Sequence, residues 1–330
     1  MMRAARARVR ALEAMTARAV ILDETSALTE KEYAGALRHF QRAHLKSRNR
    51  TAPPERGPHI VRCEWLSDGQ RKRWRYDQRV LAGRADRTFG YNVVLSDGQR
   101  AYAYRARSAD MRVLPVGKAQ TYGVTPYGCP LPWFIVPETM LRSPGFVPSG
   151  RPPVLMRREI VNGERCWHLR WEMRVKVPGH GSRPWATDVW LAIDKGMAVK
   201  RHEFSGAGRV PWESRYGTFC NRLTVLDHKK LPGGLWLPIR CEWRGGWTNE
   251  KGEMVFGRPQ TWTIVNLRIG EPPDEQALTP QYPMGYYVGD YTVNRAYKIP
   301  DRWGAKMVLM RATPKRWWPR LFGEETRPLP

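Results

Sequence analysis

From Ile60 onward apolar and polar residues alternate in short runs, the period of strands with two unlike faces. Val61, Cys63 and Trp65 alternate with Arg62, Glu64 and Leu66; after Ser67-Asp68-Gly69-Gln70, Trp74 and Tyr76 alternate with Arg73 and Arg75. The Asp-Gly step predicts a hairpin tip. Residues 91–95 repeat the scheme and turn at Ser96-Asp97-Gly98-Gln99 into Ala101-Tyr102-Ala103-Tyr104, so a meander is expected. Asn162-Gly163 marks another tip, and in the strand after it Leu169, Trp171, Met173, Val175 and Val177 oppose His168, Arg170, Glu172, Arg174 and Lys176. Residues 185–193 turn at Asp194-Lys195-Gly196 into 197–204, and 215–226, 235–243 and 261–269 complete the series. The count is about ten or eleven strands at hairpin spacing with no strand–helix–strand alternation, which predicts a sequentially connected antiparallel sheet. The run 261–269 reads as its closing edge.

Before Ile60 the period changes. Thr29-Glu30-Lys31-Glu32 is a capping box, and Tyr33, Ala36, Leu37, Phe40 and Leu45 follow near helical spacing, predicting a helix over 30–47. A shorter helix is expected over 3–20, and the prolines within 49–58 mark a loop. Segment 114–153 is rich in Pro and Gly yet carries Trp133, Phe134, Ile135, Phe146 and Val147. It reads as a loop or short helix folded back over the sheet. The expected organisation is a helical segment packing on the sheet (1–48), one antiparallel half-barrel domain (49–300, with 114–153 as an insertion) and a basic, Trp-containing tail (301–330).

Size sets the architecture. Ten strands about 4.8 Å apart make a sheet about 48 Å wide, whereas a helix is about 10 Å across. One or two helices do not cover such a sheet if it is flat. The fold class expected is therefore mainly β with N-terminal helices: a curled antiparallel half-barrel with helices packed in its concave face and an apolar cavity left between them.

Composition narrows the function classes. The chain has 330 residues, 42% of them hydrophobic, and a net charge of +25. Of its 56 basic residues 43 are Arg, and many recur at alternate strand positions such as Arg71, Arg73 and Arg75. That is the pattern of a solvated face rather than of a nucleic-acid patch, so nucleic acid is disfavoured as a partner. Glu64 and Glu242, beside Arg, are expected to form ion pairs on outer faces. The five cysteines show no metal-ligand spacing. Cys63 and Cys241 share an Arg-Cys-Glu-Trp context that leaves a disulfide open, with buried free thiols the plainer reading. No run of about 18 apolar residues is present, and the first residues lack a secretory signal's apolar core. Location is expected to be cytoplasmic as the chain stands, or the periplasm or cell envelope if a signal precedes it.

No GxSxG, HExxH, GxxxxGK[ST] or strand-linked GxGxxG motif occurs, so no enzymatic activity, metal or cofactor is assigned. The seven histidines are scattered; His168 and His202 fall on faces that otherwise carry Arg and Glu and are expected in solvent. Aromatic and thioether side chains remain as candidates. Trp65, Trp74, Tyr76, Tyr102, Tyr104, Trp133, Phe134, Trp171 and Met173 are the residues placed to line a wall for an elongated apolar ligand, with plain core packing as the other reading. In the tail, Arg316, Trp317, Trp318 and Arg320 interleave aromatic and basic groups in a way that suits an anionic membrane surface, or a closing segment tucked against the domain.

Several short motifs together resemble the LolA/LolB/RseB-like group of envelope proteins, in particular its LolA-like outer-membrane lipoprotein-sorting type. They are the opening helix and hairpin, Ser96-Asp97-Gly98-Gln99 before Tyr102-x-Tyr104, and Trp190-Leu191-Ala192-Ile193-Asp194-Lys195-Gly196 leading into Val199-Lys200-Arg201. Gly234-Leu235-Trp236-Leu237-Pro238 and the ending from Val265-Asn266-Leu267 through Tyr282-Pro283-x-Gly285 complete them, over residues 25–299. The resemblance implies a half-open antiparallel barrel with helices in its mouth. It also implies non-enzymatic binding of lipid or lipoprotein acyl chains, or of envelope-stress ligands; a monomer is expected. A basic module for an anionic membrane surface or nucleic acid is the alternative.

Overall fold

A computed structural model describes residues 57–82, 93–105, 109–115, 152–177, 181–209, 216–248, 253–300 and 308–310, and before them 14–27 with residues 3, 4, 7, 8, 11, 29, 30, 33 and 34. Among these lie seventeen strands. They are β1 (Thr16–Thr25), β2 (His59–Asp68), β3 (Lys72–Ala82), β4 (Val93–Ser96), β5 (Arg100–Arg105), β6 (Asp110–Pro115), β7 (Leu155–Val161), β8 (Glu164–Val177) and β9 (Gly181–Ala192). There follow β10 (Ala198–Arg209), β11 (Tyr216–Lys230), β12 (Trp236–Thr248), β13 (Met254–Phe256), β14 (Gln260–Ile269), β15 (Tyr287–Asp290), β16 (Arg295–Lys298) and β17 (Val308–Met310). The expected ten or eleven strands are therefore too few, because the short β6, β13 and β15 to β17 lack the length for a clear alternation and β1 overlaps a stretch expected to be helical.

Backbone pairing runs β17-β16-β15-β6-β5-β4-β3-β2-β1-β14-β12-β11-β10-β9-β8-β7, with β13 beside β14 on the same edge of β12. The result is one large, curled sheet. Among the described strands β7 and β17 each have one neighbour, so the sheet is open. Its hairpin tips follow from local chemistry. At both Ser-Asp-Gly-Gln turns the glycine has positive φ, 96° at Gly69 and 90° at Gly98, which only glycine adopts without strain. Asp68 Oδ1 accepts from the Gln70 and Arg71 amides at 2.9 and 2.6 Å, and Asp97 Oδ1 from the Gln99 and Arg100 amides at the same distances.

Three expectations about topology are corrected. The helix predicted over 3–20 ends before residue 14: Arg3, Ala4, Ala7, Arg8 and Ala11 are helical, but Thr16–Thr25 is β1. Ala17, Ala19 and Ile21 alternate with Arg18, Val20 and Leu22, and pairing on both sides, with β2 and β14, overrides alanine's helical preference. As a consequence β14 is not a closing edge but lies near the middle of the sheet, between β12 and β1. The sheet is also not wholly antiparallel or sequential, since β15 pairs with β6 in parallel. Tyr33 N donates to Thr29 O at 2.9 Å, a helical bond within the capping box. The rest of the predicted helix 30–47, the segment 116–151 with Trp133 and Phe134, and the residues Arg316, Trp317, Trp318 and Arg320 lie outside the described residues.

The sheet has a core face and a second face. The core face carries a continuous apolar band: Leu169, Trp171, Val189 and Leu191 at one end, then Leu223, Cys241, Trp262 and Ile21, then Trp65 and Trp74, all buried. Most of the second face is charged and cross-linked, as in Arg222–Glu203 and Arg244–Glu242, both 2.7 Å. This is where the interleaved arginines go. Exposed pairs of this kind contribute little individually but keep like charges apart.

The two histidines expected in solvent are both buried. His202 is 3% exposed, because a bulge between Val199 and Arg201 inserts Lys200 and reverses the alternation, turning His202 toward the core face opposite Leu223. His168 is 5% exposed on the charged face, its Nε2 2.7 Å from Asp188 Oδ1 and its Nδ1 3.1 Å from Glu159 Oε1, with Trp190 stacked on it at 4.2 Å. Cys63, Cys166, Cys220 and Cys241 are buried free thiols. Cys63 on β2 and Cys241 on β12 have β1 and β14 between them, about 14 Å of sheet, which excludes the disulfide.

Candidate functional site

The order of strands forces a crossing. After Ile269 ends β14 in mid-sheet, the chain must reach β15, which lies beyond β6, seven strand spacings or about 34 Å away. Residues 270–286 span at most about 58 Å, enough to pass β1 and β2 and reach it, and their contacts with Arg71, Arg73 and Tyr104 make them a strap across β3 to β5 on the face opposite the main core. Pro272 and Pro273 stiffen its start, and Asp274 caps the short 3-10 helix Glu275–Leu278 by accepting from Gln276 N at 3.1 Å. Leu278 is fully buried beneath it.

Few bonds tie the strap to the sheet. Arg71 Nη1 meets Glu275 Oε1 at 3.4 Å, Arg73 Nη1 donates to Ala277 O at 3.1 Å, and Gln281 N donates to Tyr104 Oη at 3.2 Å. Beyond these, Tyr286, Val288, Tyr297 and Ile299 pack on Leu95, Tyr102, Met111 and Val113. Between the bonded points the strap stands off the sheet. The gap is a cavity of about 220 Å³ bounded by Arg73 on β3, Val93 and Leu95 on β4, Tyr104 on β5, and Gln276, Ala277, Thr279, Gln281, Pro283 and Tyr286 of the strap. That is room for about seven water-sized groups.

Its walls are mostly apolar, with Arg73, Tyr104, Gln276, Thr279 and Gln281 as the polar side chains. Burial pulls the Arg73 guanidinium below its ordinary value, while Glu64 works the other way and Arg75 adds to the depression. Burial likewise pushes the Tyr104 phenol well above its usual range, so it stays protonated. Because Tyr104 Oη accepts from Gln281 N, its own hydrogen is available to a guest. Next to it, Tyr102 donates to Asp97 Oδ2 at 2.9 Å, and burial, then that carboxylate, raise the Tyr102 phenol to about 12. Among the described residues no carboxylate, thiol or imidazole lines the cavity. These walls therefore offer no nucleophile or general base, and no group of three metal-ligating side chains occurs among the described residues.

A second cluster is chemically saturated. Glu159 accepts from Trp190 Nε1 at 2.8 Å and also meets His168 and Arg157; burial alone would raise its carboxyl, but the bonds from Trp190 and His168 outweigh that and hold it low.

Of the residues expected to line a binding wall, Tyr104 does line the cavity, and Tyr102 packs beside it on the same face. Trp65, Trp74 and Trp171 instead fill the core face, and Met173 is half-buried. Trp74 pairs with Val94, whose partner Ala103 points opposite to Tyr102 and Tyr104, so the two hairpins present their aromatic residues to opposite faces. Tyr76 is placed by its backbone alone, opposite Cys63. Sequence reasoning missed Arg73, Val93, Leu95 and the strap. The available signal was Tyr282-Pro283-x-Gly285 following the Pro272-Pro273 break after 261–269.

An aromatic array also lies on the core face. Trp185, Phe204, Phe219 and Trp247 meet in succession across β9 to β12, with ring centroids 5.1 to 5.7 Å apart. Gly206 makes room for it: a Cβ there would lie 2.4 Å from Trp185 Cδ1.

These features define a class: a single open, curled β-sheet protein with a strap-covered, mostly apolar cavity whose described walls carry no catalytic group. No protein-family model matches the chain, and no curated protein matches it significantly. Among solved structures, an uncharacterized conserved protein from Thermus thermophilus aligns over 88% of this chain and 98% of its own at 9% identity, with a TM-score of 0.30. The Mycobacterium tuberculosis lipoprotein LppX aligns over 68% of this chain and 94% of its own at 12% identity, with a TM-score of 0.24. Superpositions this weak leave fold and ligand to be argued from the chain itself.

Proposed function

We propose that the protein is a non-enzymatic binder of an acyl-type apolar ligand, held between the strap and strands β3 to β5. One observation carries this reading: a cavity of about 220 Å³ in which Val93, Leu95, Tyr104, Ala277, Pro283 and Tyr286 line a largely apolar wall beside Arg73, Gln276, Thr279 and Gln281. Burying a flexible chain there releases water from apolar surface on both partners, worth about 0.8 kcal/mol for each methylene covered. The volume takes a short stretch of chain, and a longer tail leaves through the open side. LolA-like handling of lipid or lipoprotein chains is the biological form in which such binding is expected.

Native mass spectrometry of the purified protein, followed by solvent extraction, tests the reading. A bound acyl compound, or uptake of added 1-octanol, is the expected result. Val93→Trp fills the cavity from a half-buried position and abolishes uptake. A protein that is always empty and takes up no medium-chain compound refutes the proposal, as does undiminished uptake by the filled variant.

A further inference from the structure

We infer that the ligand of the strap cavity is an anionic amphiphile, a monocarboxylate whose head is held by Arg73 and Tyr104 and whose chain lies along Val93, Leu95 and Pro283. The inference rests on the acyl-ligand reading above and adds the chemistry of the head group.

Arg73 is the anomaly. Several part-buried or buried basic side chains on the strands and turns meet a carboxylate: Lys200 meets Glu164, Arg222 meets Glu203, Arg244 meets Glu242, and Arg71, two residues before Arg73, meets Asp68 at 2.7 Å. Arg73 is half-buried, yet its bond is to a neutral acceptor, Ala277 O. That bond uses one of a guanidinium's five N–H groups. Desolvating a cation without an anion is costly, and a carboxylate entering the cavity offsets that cost while accepting two parallel bonds. Glu64, the nearest balancing charge on the neighbouring strand, is bonded to Arg18 at 3.2 Å.

Tyr104 points to the same guest. Its oxygen already accepts from Gln281 N, so what it offers is a hydroxyl hydrogen. Arg73 and Tyr104 thus present donors to a cavity whose described walls carry no acidic side chain, a set that selects an acceptor bearing negative charge. A single cation among those walls matches a single negative charge, which favours a carboxylate over a phosphate dianion. Besides Gln276, Thr279 and Gln281 the remaining wall is Val93, Leu95, Ala277, Pro283 and Tyr286, an apolar stretch that suits an anion carrying a hydrocarbon body.

Titration calorimetry of the full chain with octanoate and with 1-octanol at neutral pH separates head from chain. Octanoate is expected to bind about tenfold or more tighter than 1-octanol, the scale of one charge-assisted contact. Arg73→Leu is expected to bring octanoate down to the affinity the same variant shows for 1-octanol, with thermal unfolding reporting that the variant is folded; Arg73→Gln serves the same purpose if the leucine variant fails to fold. Equal affinity for acid and alcohol in the unaltered protein overturns the inference and leaves the acyl-ligand reading standing. A preference for octanoate that survives both substitutions also overturns it. Binding of neither compound sinks the acyl-ligand reading itself, and this inference with it.

Discussion

Mild acid is expected to destabilise the fold through two histidines held in their neutral form, His202 buried in the core face and His228 half-buried beside Lys195. Burial lowers His202 from 6.5 to about 4, and burial together with nearby Lys195 lowers His228 to about 3. Above about pH 6.5 both are neutral whether the chain is folded or not, and their contribution to stability is fully present. As pH falls below 6.5 the unfolded chain takes up protons that the folded chain refuses, and stability is lost progressively until the folded values near 4 and 3 are passed. At pH 5 the solution lies about 1.5 units below the midpoint of the unfolded groups, so each histidine costs about 2 kcal/mol and the pair about 4 kcal/mol. That is a large part of the roughly 5–15 kcal/mol typical of a domain. Glu159 and Glu164, whose carboxyls are held below the ordinary glutamate value by their bonded partners, add their loss only further down the scale and leave the pH 7 to 5 window to the histidines. Urea unfolding at pH 7 and pH 5 measures the difference, and combining His202→Leu with His228→Gln should remove most of it. A flat profile between these pH values, or a dependence that survives in the double variant, refutes the reasoning.

Gly206→Ala sets a Cβ against the Trp185 indole, which is wedged between Phe204 and Phe219 and donates to Ala207 O at 3.2 Å. A loss of about 1–3 kcal/mol is expected, with altered Trp fluorescence, and Trp185→Leu in the same chain should relieve it; a neutral single variant would show that the ring moves freely. Glu164→Gln strands Lys200, which is 2% exposed and bonded to that carboxylate, and should cost about 3–5 kcal/mol in thermal or urea unfolding. Adding Lys200→Met should recover most of that loss, and failure to recover would locate the role of Glu164 elsewhere, in its 3.0 Å pair with Lys195.

Turn chemistry and period-two alternation made the long hairpins legible. Asp-Gly and Asn-Gly steps marked tips that do close as turns, and Asn162 with Gly163 adopts the positive φ pair, 49° and 76°, that such a tip requires. What escaped were reversals of parity. A bulge of one residue, Lys200, moved His202 from the solvent side to the core side, because a shift of one position exchanges the faces of a strand. The same rule separates the two Ser-Asp-Gly-Gln hairpins: Trp74 stands seven residues after Ser67, but Tyr102 stands six after Ser96. Near-identical turns thus deliver their aromatic rings to opposite faces, one to the core and one to the cavity.

The site itself was hidden for a topological reason. Arg73 read as one more arginine on a wet face, and locally that reading is sound, since Arg75 two residues on is exposed. Its environment is decided some two hundred residues later by where β14 pairs. Had β14 been an edge strand, the chain could have left the sheet without crossing it. Because β1 occupies the far side of β14, residues 270–286 have to pass β1 and β2 to reach β15, and Ala277 and Pro283 become the roof above Arg73. The strand that sequence alone mistook for a helix is thus what creates the cavity. Substitutions that weaken the β1–β14 pairing, far from Arg73, should therefore loosen the strap and impair octanoate binding together, a coupling that local reading of either segment does not reveal.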